Sequence, residues 1–422
     1  MWDYAWYAMS HPDDPYGNLD KALDEVVDRG FNALRLCGMA NYIFDSQGRR
    51  RKRIDLCNFS GGVGPGGFGR YVRWQNAQGG VTIDPLDRTL RLFEGCRKRN
   101  LFVVLSNWIY QVQGSWTADP RIWSPLMEAS PEQRWPLVVD ATCRLIAELR
   151  TNGLADRLAY VEVHNEQDVH QMARVGNEAD GPIVRYNAHL ERACNRLRQE
   201  FPGLLVCAGH AGYQYWPEEM TRQSQGQGVL HQHVYDFKGI LHEYYKVLGC
   251  SWFRKPPPEW PTPEAREVLL PGAPPINEWL PPPERLKQIG LEDEAAEASR
   301  RMYYLMDWLN PQPFDHWLYS HYQEHRLGMR ERIRNQIAML AREAKRRNVP
   351  AAIGEGWISY SPFLAEFEDG PVGKTIAEEG VNDCLEHDYW AIVPNSNSSP
   401  ANPRCWADVE WHRKITSKIL SP

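Results

Sequence analysis

The chain predicts a single (β/α)8 barrel, and three observations carry the prediction. Strand-like and helix-like runs alternate along most of the 422 residues, the pattern of a parallel sheet wrapped by helices. One run, LFVVLSNW (101–108), is continuously apolar, as strands buried on both faces are. Two further strand candidates, far apart in sequence, end in glutamate, Glu166 and Glu355, and barrels gather their functional groups at C-terminal strand ends.

The elements follow in order. WDYAWYAM (2–9) reads as the first strand, and NLDKALDEVVDRG (18–30) as a helix with Leu19, Leu23, Val26 and Val27 on one stripe and Gly30 as its stop. FNALRL (31–36) is strand two. A long loop containing GGVGPGGFG (61–69) precedes a helix over 84–100, with Asp84 as N-cap and Pro85 in its first turn. Strand three is 101–108, followed by a helix within 131–153. Strand four is RLAYVEVHNE (157–166), then a helix across 184–200, strand five LLVCAGH (204–210) and strand six GVLHQHVYDF (228–237).

From about 238 to 325 the rhythm breaks into Pro-rich sequence (KPPPEWPTP, LPGAPPINEWLPPPE) and a helical stretch over 292–309. That is too long for a simple strand–helix connection, so it reads as an insertion or lid within one domain of 1–422. Alternation resumes with a helix over 327–348, strand seven PAAIGEG (350–356), a helix over 371–386, strand eight YWAIVPNS (389–396) and a closing helix near 406–420.

Composition narrows the partners. A net charge of −6 offers no basic field for nucleic acid or anionic lipid. RRRKR (49–53), the basic cluster, reads as a solvated loop. No apolar run reaches the length of a membrane span, and Met1 leads into WDYAWYAMS without a signal-peptide pattern. The nine cysteines are scattered with no C-x-x-C, which suits reduced thiols and a cytoplasmic protein. Seventeen Trp and nineteen Tyr are core material first, but such rings also stack on the C–H faces of sugars. A homo-oligomer is left open.

Two carboxylates at strand ends of one barrel can face each other across its mouth. Retaining glycoside hydrolysis needs such a pair, one to protonate the leaving oxygen and one to attack the anomeric carbon. The ordered motifs GFNALRL, HNE, HVY and GEG resemble those of the retaining glycoside hydrolases of clan A, nearest to family 5 and to the sugar-binding cellulase-like proteins. The resemblance implies a retaining β-glycosidase without metal or organic cofactor, acting on a small carbohydrate. Glu166 would be the acid/base and Glu355 the nucleophile. Asn165 would bind the sugar 2-hydroxyl, Tyr235 would orient Glu355, and His233 would stand close by. Arg35 would point at Glu355 and keep it ionised, while Glu166, in a drier site, holds its proton. Trp108, Trp357 and Trp390 are the stacking candidates. Family 5 often carries a histidine near the end of strand three, where this chain has Asn107-Trp108.

Other readings use the same residues. His231 and His233 share a strand face and could hold a metal, with His164 and His170 as further ligands; rim histidines satisfied by neighbours are the plainer explanation. The Gly-rich 61–69 stretch lacks a P-loop lysine and reads as a loop over the cleft, with Phe68, Tyr71 and Trp74 able to reach ligand. Trp252, Trp260 and Trp279 of the insertion could form a pocket wall or a subunit contact. An inactive sugar-binding protein on the same barrel is the second class of function, and a transglycosylase differs from a hydrolase only in its acceptor.

Overall fold

The computed structural model describes residues 2–3, 10–13, 15–37, 40–56, 81–108, 119–122, 124–168, 175, 182–211, 225–236, 239–251, 255–276, 301, 304–305, 308–358, 365–400 and 402–421. The Gly-rich loop with Phe68, Tyr71 and Trp74, and also Cys57, His170, Trp252 and Trp279, lie outside the described residues.

Among the described residues, eight strands run parallel in sequential order. They are β1 (Trp2–Asp3), β2 (Ala33–Cys37), β3 (Phe102–Ser106), β4 (Leu158–Glu162), β5 (Val206–Cys207 and, past Ala208, Gly209–His210), β6 (Leu230–Tyr235), β7 (Ala351–Trp357) and β8 (Ala391–Ile392). Each pairs with the next, and the β8–β1 seam is not among the described pairs. Contacts across the ring nevertheless require closure. In a flat sheet β2 and β7 would stand about 24 Å apart, five spacings of ~4.8 Å. Instead Arg35 Nη1 on β2 lies 2.7 Å from Glu355 Oε1 on β7. At the other end, Tyr160 of β4 meets Trp390 at the foot of β8, ring centroids 5.8 Å apart.

The apolar core divides as a barrel demands. A small interior cluster of Val104, Tyr160, Cys207, Val229 and Ala352 plugs the lower barrel. A second, continuous cluster lies between strands and helices and extends to Trp260 and Tyr304 of the 238–325 segment. Strand periodicity then stacks polar groups above the plug: Glu162 two residues after Tyr160, Ser106 two after Val104, and His231, His233 and Tyr235 along β6.

The helices are set by local chemistry. In α1 (Leu19–Asp28) the Asn18 side chain caps Lys21 N–H, and Ala22, Leu23 and Val26 are buried. Gly30 takes a φ of +80°, so the chain reverses into β2. In α2 (Pro85–Lys98) Asp84 accepts from the amides of Leu86 and Asp87, as the sequence predicts. Next come α3 (Pro131–Thr151) and α4 (Pro182–Glu200). The β6–β7 connection carries α5 (Ile240–Leu248), a short helical turn at Pro263–Glu267 and α6 (Pro311–Arg347). α7 (Pro371–Glu386) and α8 (Val409–Leu420) complete the outer layer. α8 returns to α1 through Arg413 Nε to Asp28 O, 2.9 Å, and Thr416 Oγ1 to Arg29 O, 2.7 Å.

The sequence places a helix start at 327, but α6 begins at Pro311, capped by Asn310. Residues 311–325, assigned above to the insertion, are therefore its first turns. Phe314, Leu318 and Tyr322 continue the stripe of Met329, Ile333, Ile337 and Leu340, and the prolines at 311 and 313 sit where a helix tolerates them. The eight described cysteines are buried. The arginines of RRRKR are consumed locally: Arg49 pairs with Asp45 and Arg50 with Asp84, while Arg51 donates to the carbonyls of Asn41, Tyr42 and Phe44. No described helix is long and apolar enough to cross a membrane.

Trp357 shows how tightly strand and helix layers meet. A Cβ on Gly380 of α7 would lie 2.6 Å from Trp357 Cε3. The indole is buried and donates its N–H to Pro394 O at 2.9 Å. Alanine in a helix is favoured over glycine by up to about 1 kcal/mol, whereas overpacking costs about 1–3 kcal/mol. The fixed ring lets overpacking win. Gly380→Ala is expected to lower the urea midpoint, by up to about 2 kcal/mol of stability, and a stabilised variant would show that the ring yields.

Candidate active site

Above the barrel plug, one guanidinium organises the mouth. Arg35 is fully buried. Its Nη1 donates to Glu355 Oε1 at 2.7 Å, and its Nε and Nη2 donate to Glu162 Oε2 at 3.0 and 2.8 Å. Nη2 also donates to Asn165 Oδ1. A planar fork suits this role; a lysine could not serve three acceptors along fixed directions. Room for Glu162 comes from Gly209, where a Cβ would fall 1.9 Å from Glu162 Oε1.

Each carboxylate is aimed by a local departure from regular strand geometry. On β7 the register against β6 shifts between Ile353 and Glu355. Gly354 already faces inward, since a Cβ there would meet His231 Nε2 at 1.8 Å. The extra residue turns Glu355 inward as well, a bulge re-aiming a side chain. After β4, Glu166 adopts a φ of +43°, a left-handed conformation costing a non-glycine residue about 1–3 kcal/mol. Its neighbours hold it there. Asn165 N–H donates to Asn107 O at 2.8 Å on one side, and Gln167 N–H to Gly209 O at 3.2 Å on the other.

Between the two glutamates stands His233. Its Nδ1 is 2.8 Å from Glu166 Oε1, and its Nε2 is 3.5 Å from Glu355 Oε1. Ligating atoms of Glu166, His233 and Glu355 all lie within 4.8 Å of one another. Tyr235 O–H donates to Glu355 Oε2 at 2.8 Å. Trp108 lies beside Arg35, with the guanidinium carbon 5.1 Å from its ring centroid. The structure thus brings together Arg35, Asn165, Glu166, His233, Tyr235, Glu355 and Trp108.

Two of the tryptophan candidates fall elsewhere. Trp390 is 51% exposed and precedes β8, at the opposite end of the barrel from Glu166 and Glu355, because the strand begins only at Ala391. Trp357 is turned into the helix layer against Gly380, where it is packing material. The expected contrast in dryness is also missing. Glu166 is 7% exposed and Glu355 5%, so their neighbours distinguish them and burial does not. Glu355 faces a guanidinium and a phenol; Glu166 faces an imidazole. Asn107, where family 5 often has histidine, donates to Thr142 Oγ1 and Val163 O at 2.9 and 3.2 Å and so ties β3 to α3 and β4.

Sequence reasoning missed Glu162 and Ser396. Glu162 was detectable: it lies on the inward face two residues after Tyr160, and a buried carboxylate demands a cation. Ser396 gave no comparable signal.

Three of the buried histidines titrate differently. Burial pushes His210 down to about 3. Burial, then the charge of Arg35, push His231 well below its ordinary value. Burial also acts against a charge on His233, but the Glu355 charge and the hydrogen bond to Glu166 outweigh it, and the net shift is upward.

The metal reading has geometric support in two overlapping sets, Glu162–His231–His233 and Glu166–His233–Glu355. Both include a carboxylate bound to Arg35. A divalent cation in either would confront a buried guanidinium or displace it from its partner.

The fold and site together define a (β/α)8 barrel with two carboxylates and an imidazole converging at its mouth. The chain belongs to the cellulase-like family, described as sugar-binding cellulase-like, whose model matches residues 1–250 and 300–420. Among solved structures it is similar to a Parabacteroides distasonis protein described, by inference, as a glycoside hydrolase: 18% identity, 99% of this chain and 92% of that one, TM-score 0.61. It is more loosely similar to an endo-1,4-β-D-mannanase from Thermotoga petrophila: 10% identity, 93% of this chain and 86% of that one, TM-score 0.46. No curated protein matches it.

The upward shift of His233 makes a stability prediction. A folded pKa above the unfolded value, ~6.5, stabilises fully below that value, and the contribution is lost as pH rises through the folded pKa. Against His233→Gln, the wild-type advantage in urea unfolding is expected to be largest near pH ~6 and to shrink toward pH ~9. A difference constant across that range would show that His233 binds no extra proton on folding.

Proposed function

We propose that this protein is a retaining β-glycosidase acting on a β-linked oligosaccharide or glycoside. The observation that carries the reading is the approach of Glu166 and Glu355, one carboxylate oxygen of each lying within 4.8 Å of the other across the barrel mouth. Carboxyl groups about 5–5.5 Å apart suit double displacement, whereas inversion needs about 6.5–9.5 Å to admit a water.

The surroundings assign the roles. Glu355, with Arg35 at one oxygen and Tyr235 at the other, is the nucleophile that attacks the anomeric carbon. Glu166, held by His233, gives its proton to the departing oxygen. It then takes one from the water that releases the glycosyl group from Glu355. Asn165, its Oδ1 engaged by Arg35, offers its amide N–H to the sugar 2-hydroxyl, a contact worth most in the transition state. Trp108 is the stacking surface. No metal or organic cofactor enters these steps, and we place the protein in the cytoplasm.

One observation favours a second reading. The family's description is sugar-binding, which also fits a protein that holds a carbohydrate on this barrel without cleaving it. Release of aryl groups from a panel of α- and β-glycosides, pentosides included, separates the two. Turnover of a β-glycoside is expected, with loss of at least ~10³-fold in Glu355→Ala and recovery by azide as a glycosyl azide. An inert wild type that binds oligosaccharides in calorimetry would replace the hydrolase with the binding protein.

A further inference from the structure

We infer that Ser396, in the turn after β8, is a positioning residue that acts on Glu355 through Tyr235. This rests on the glycosidase reading above. Ser396 clamps the residue that follows the nucleophile at two points. Its backbone N–H donates to Gly356 O at 2.9 Å, and its Oγ accepts from Gly356 N–H at 2.8 Å. The same Oγ lies 3.0 Å from the Tyr235 hydroxyl.

The donors in this chain are determined by counting protons. A phenol has one, and Tyr235 gives it to Glu355 Oε2. Toward Ser396 the phenol oxygen can therefore only accept, so the serine supplies the proton. The order is Gly356 N–H to Ser396 O–H to Tyr235 O–H to Glu355. Each donor in such a chain polarises the next, and the effect is strongest where water is scarce. Ser396 thus strengthens the hydrogen bond that Tyr235 makes to Glu355 and fixes the phenol's rotation about its C–O bond.

The turn that carries Ser396 is anchored independently of the site. Asn395 Nδ2 donates to Glu368 O at 3.2 Å, and Asn397 Nδ2 to Glu368 Oε2 at 3.1 Å. Asn397 N–H closes on Asn395 Oδ1 at 2.7 Å, and Ser398 Oγ is 3.0 Å from His412 Nε2. With so many other anchors, loss of one hydroxyl should leave the turn in place. The departure of Glu355 from the sugar in the second step gains most from a firm Tyr235 donor, so kcat should respond more than KM.

A double-mutant cycle tests this on the β-glycoside that the wild type turns over. Ser396→Ala is expected to lower kcat about tenfold, the effect of one ordinary hydrogen bond. Its melting temperature should fall by no more than a few degrees, the cost of the Gly356 N–H left without the serine oxygen, and Ser396→Thr, which keeps a hydroxyl, should recover most of the rate. In a Tyr235→Phe background Ser396→Ala should cost nothing further, because its route to Glu355 is already cut. A cost that persists undiminished in that background would overturn the inference, as would an unchanged kcat in Ser396→Ala. Should the alanine variant not fold, Ser396→Cys, with its weak donor, takes its place under the same expectations. An inert wild type overturns the glycosidase reading and this inference together; an active wild type with an indifferent Ser396 overturns this one alone.

Discussion

A single buried guanidinium, Arg35, is the constraint on which the mouth of this barrel depends. It joins β2 to Glu162 just inside β4 and to Glu355 on β7, and it steadies Asn165 beside Glu166. Moving one cation and two carboxylates out of water costs several kcal/mol for each ion. Only short, well-directed hydrogen bonds offset that cost, and their directions fix where the carboxylates stand. The value of the network therefore lies less in net stability than in placement.

The same logic separates groups that are chemically identical. His210, His231 and His233 are all fully buried, and burial alone would make all three poor bases. Only His233 stands between two glutamates, and only His233 is shifted upward. Glu166 and Glu355 are likewise equally enclosed and differ by what they touch. Function is thus written in pairs of neighbours, with depth in the barrel as a common background. Backbone irregularity serves that pairing, through the bulge before Glu355 and the left-handed turn at Glu166.

Much of this was legible in the sequence. Apolar runs at strand spacing, the Asp84–Pro85 cap and the Gly30 stop identify strands and helices because they act locally. Arg35, Asn165, Glu166, His233, Tyr235 and Glu355 were found through short motifs at strand ends, and the structure gathers them. What failed depended on direction or on distant partners. Trp390 and Trp357 are aromatic residues near the right strands, but one stands at the foot of β8 and the other turns outward to Gly380. The start of α6 was misplaced because Pro311 and Pro313 look like breakers until Asn310 shows them to be in a first turn. Ser396 bonds to residues 40 and 161 positions away, a relation no local pattern encodes.

Three carboxylates share the space around Arg35 and His233, so the proposed double displacement turns on which of them would bond to sugar. Trapping with a 2-fluoro glycoside of the hydrolysed sugar, followed by mass spectrometry of the digest, answers it directly. A single glycosyl adduct on Glu355 is expected, absent from Glu355→Gln. An adduct on Glu166 or Glu162, or turnover with no adduct at any carboxylate, would contradict double displacement through Glu355.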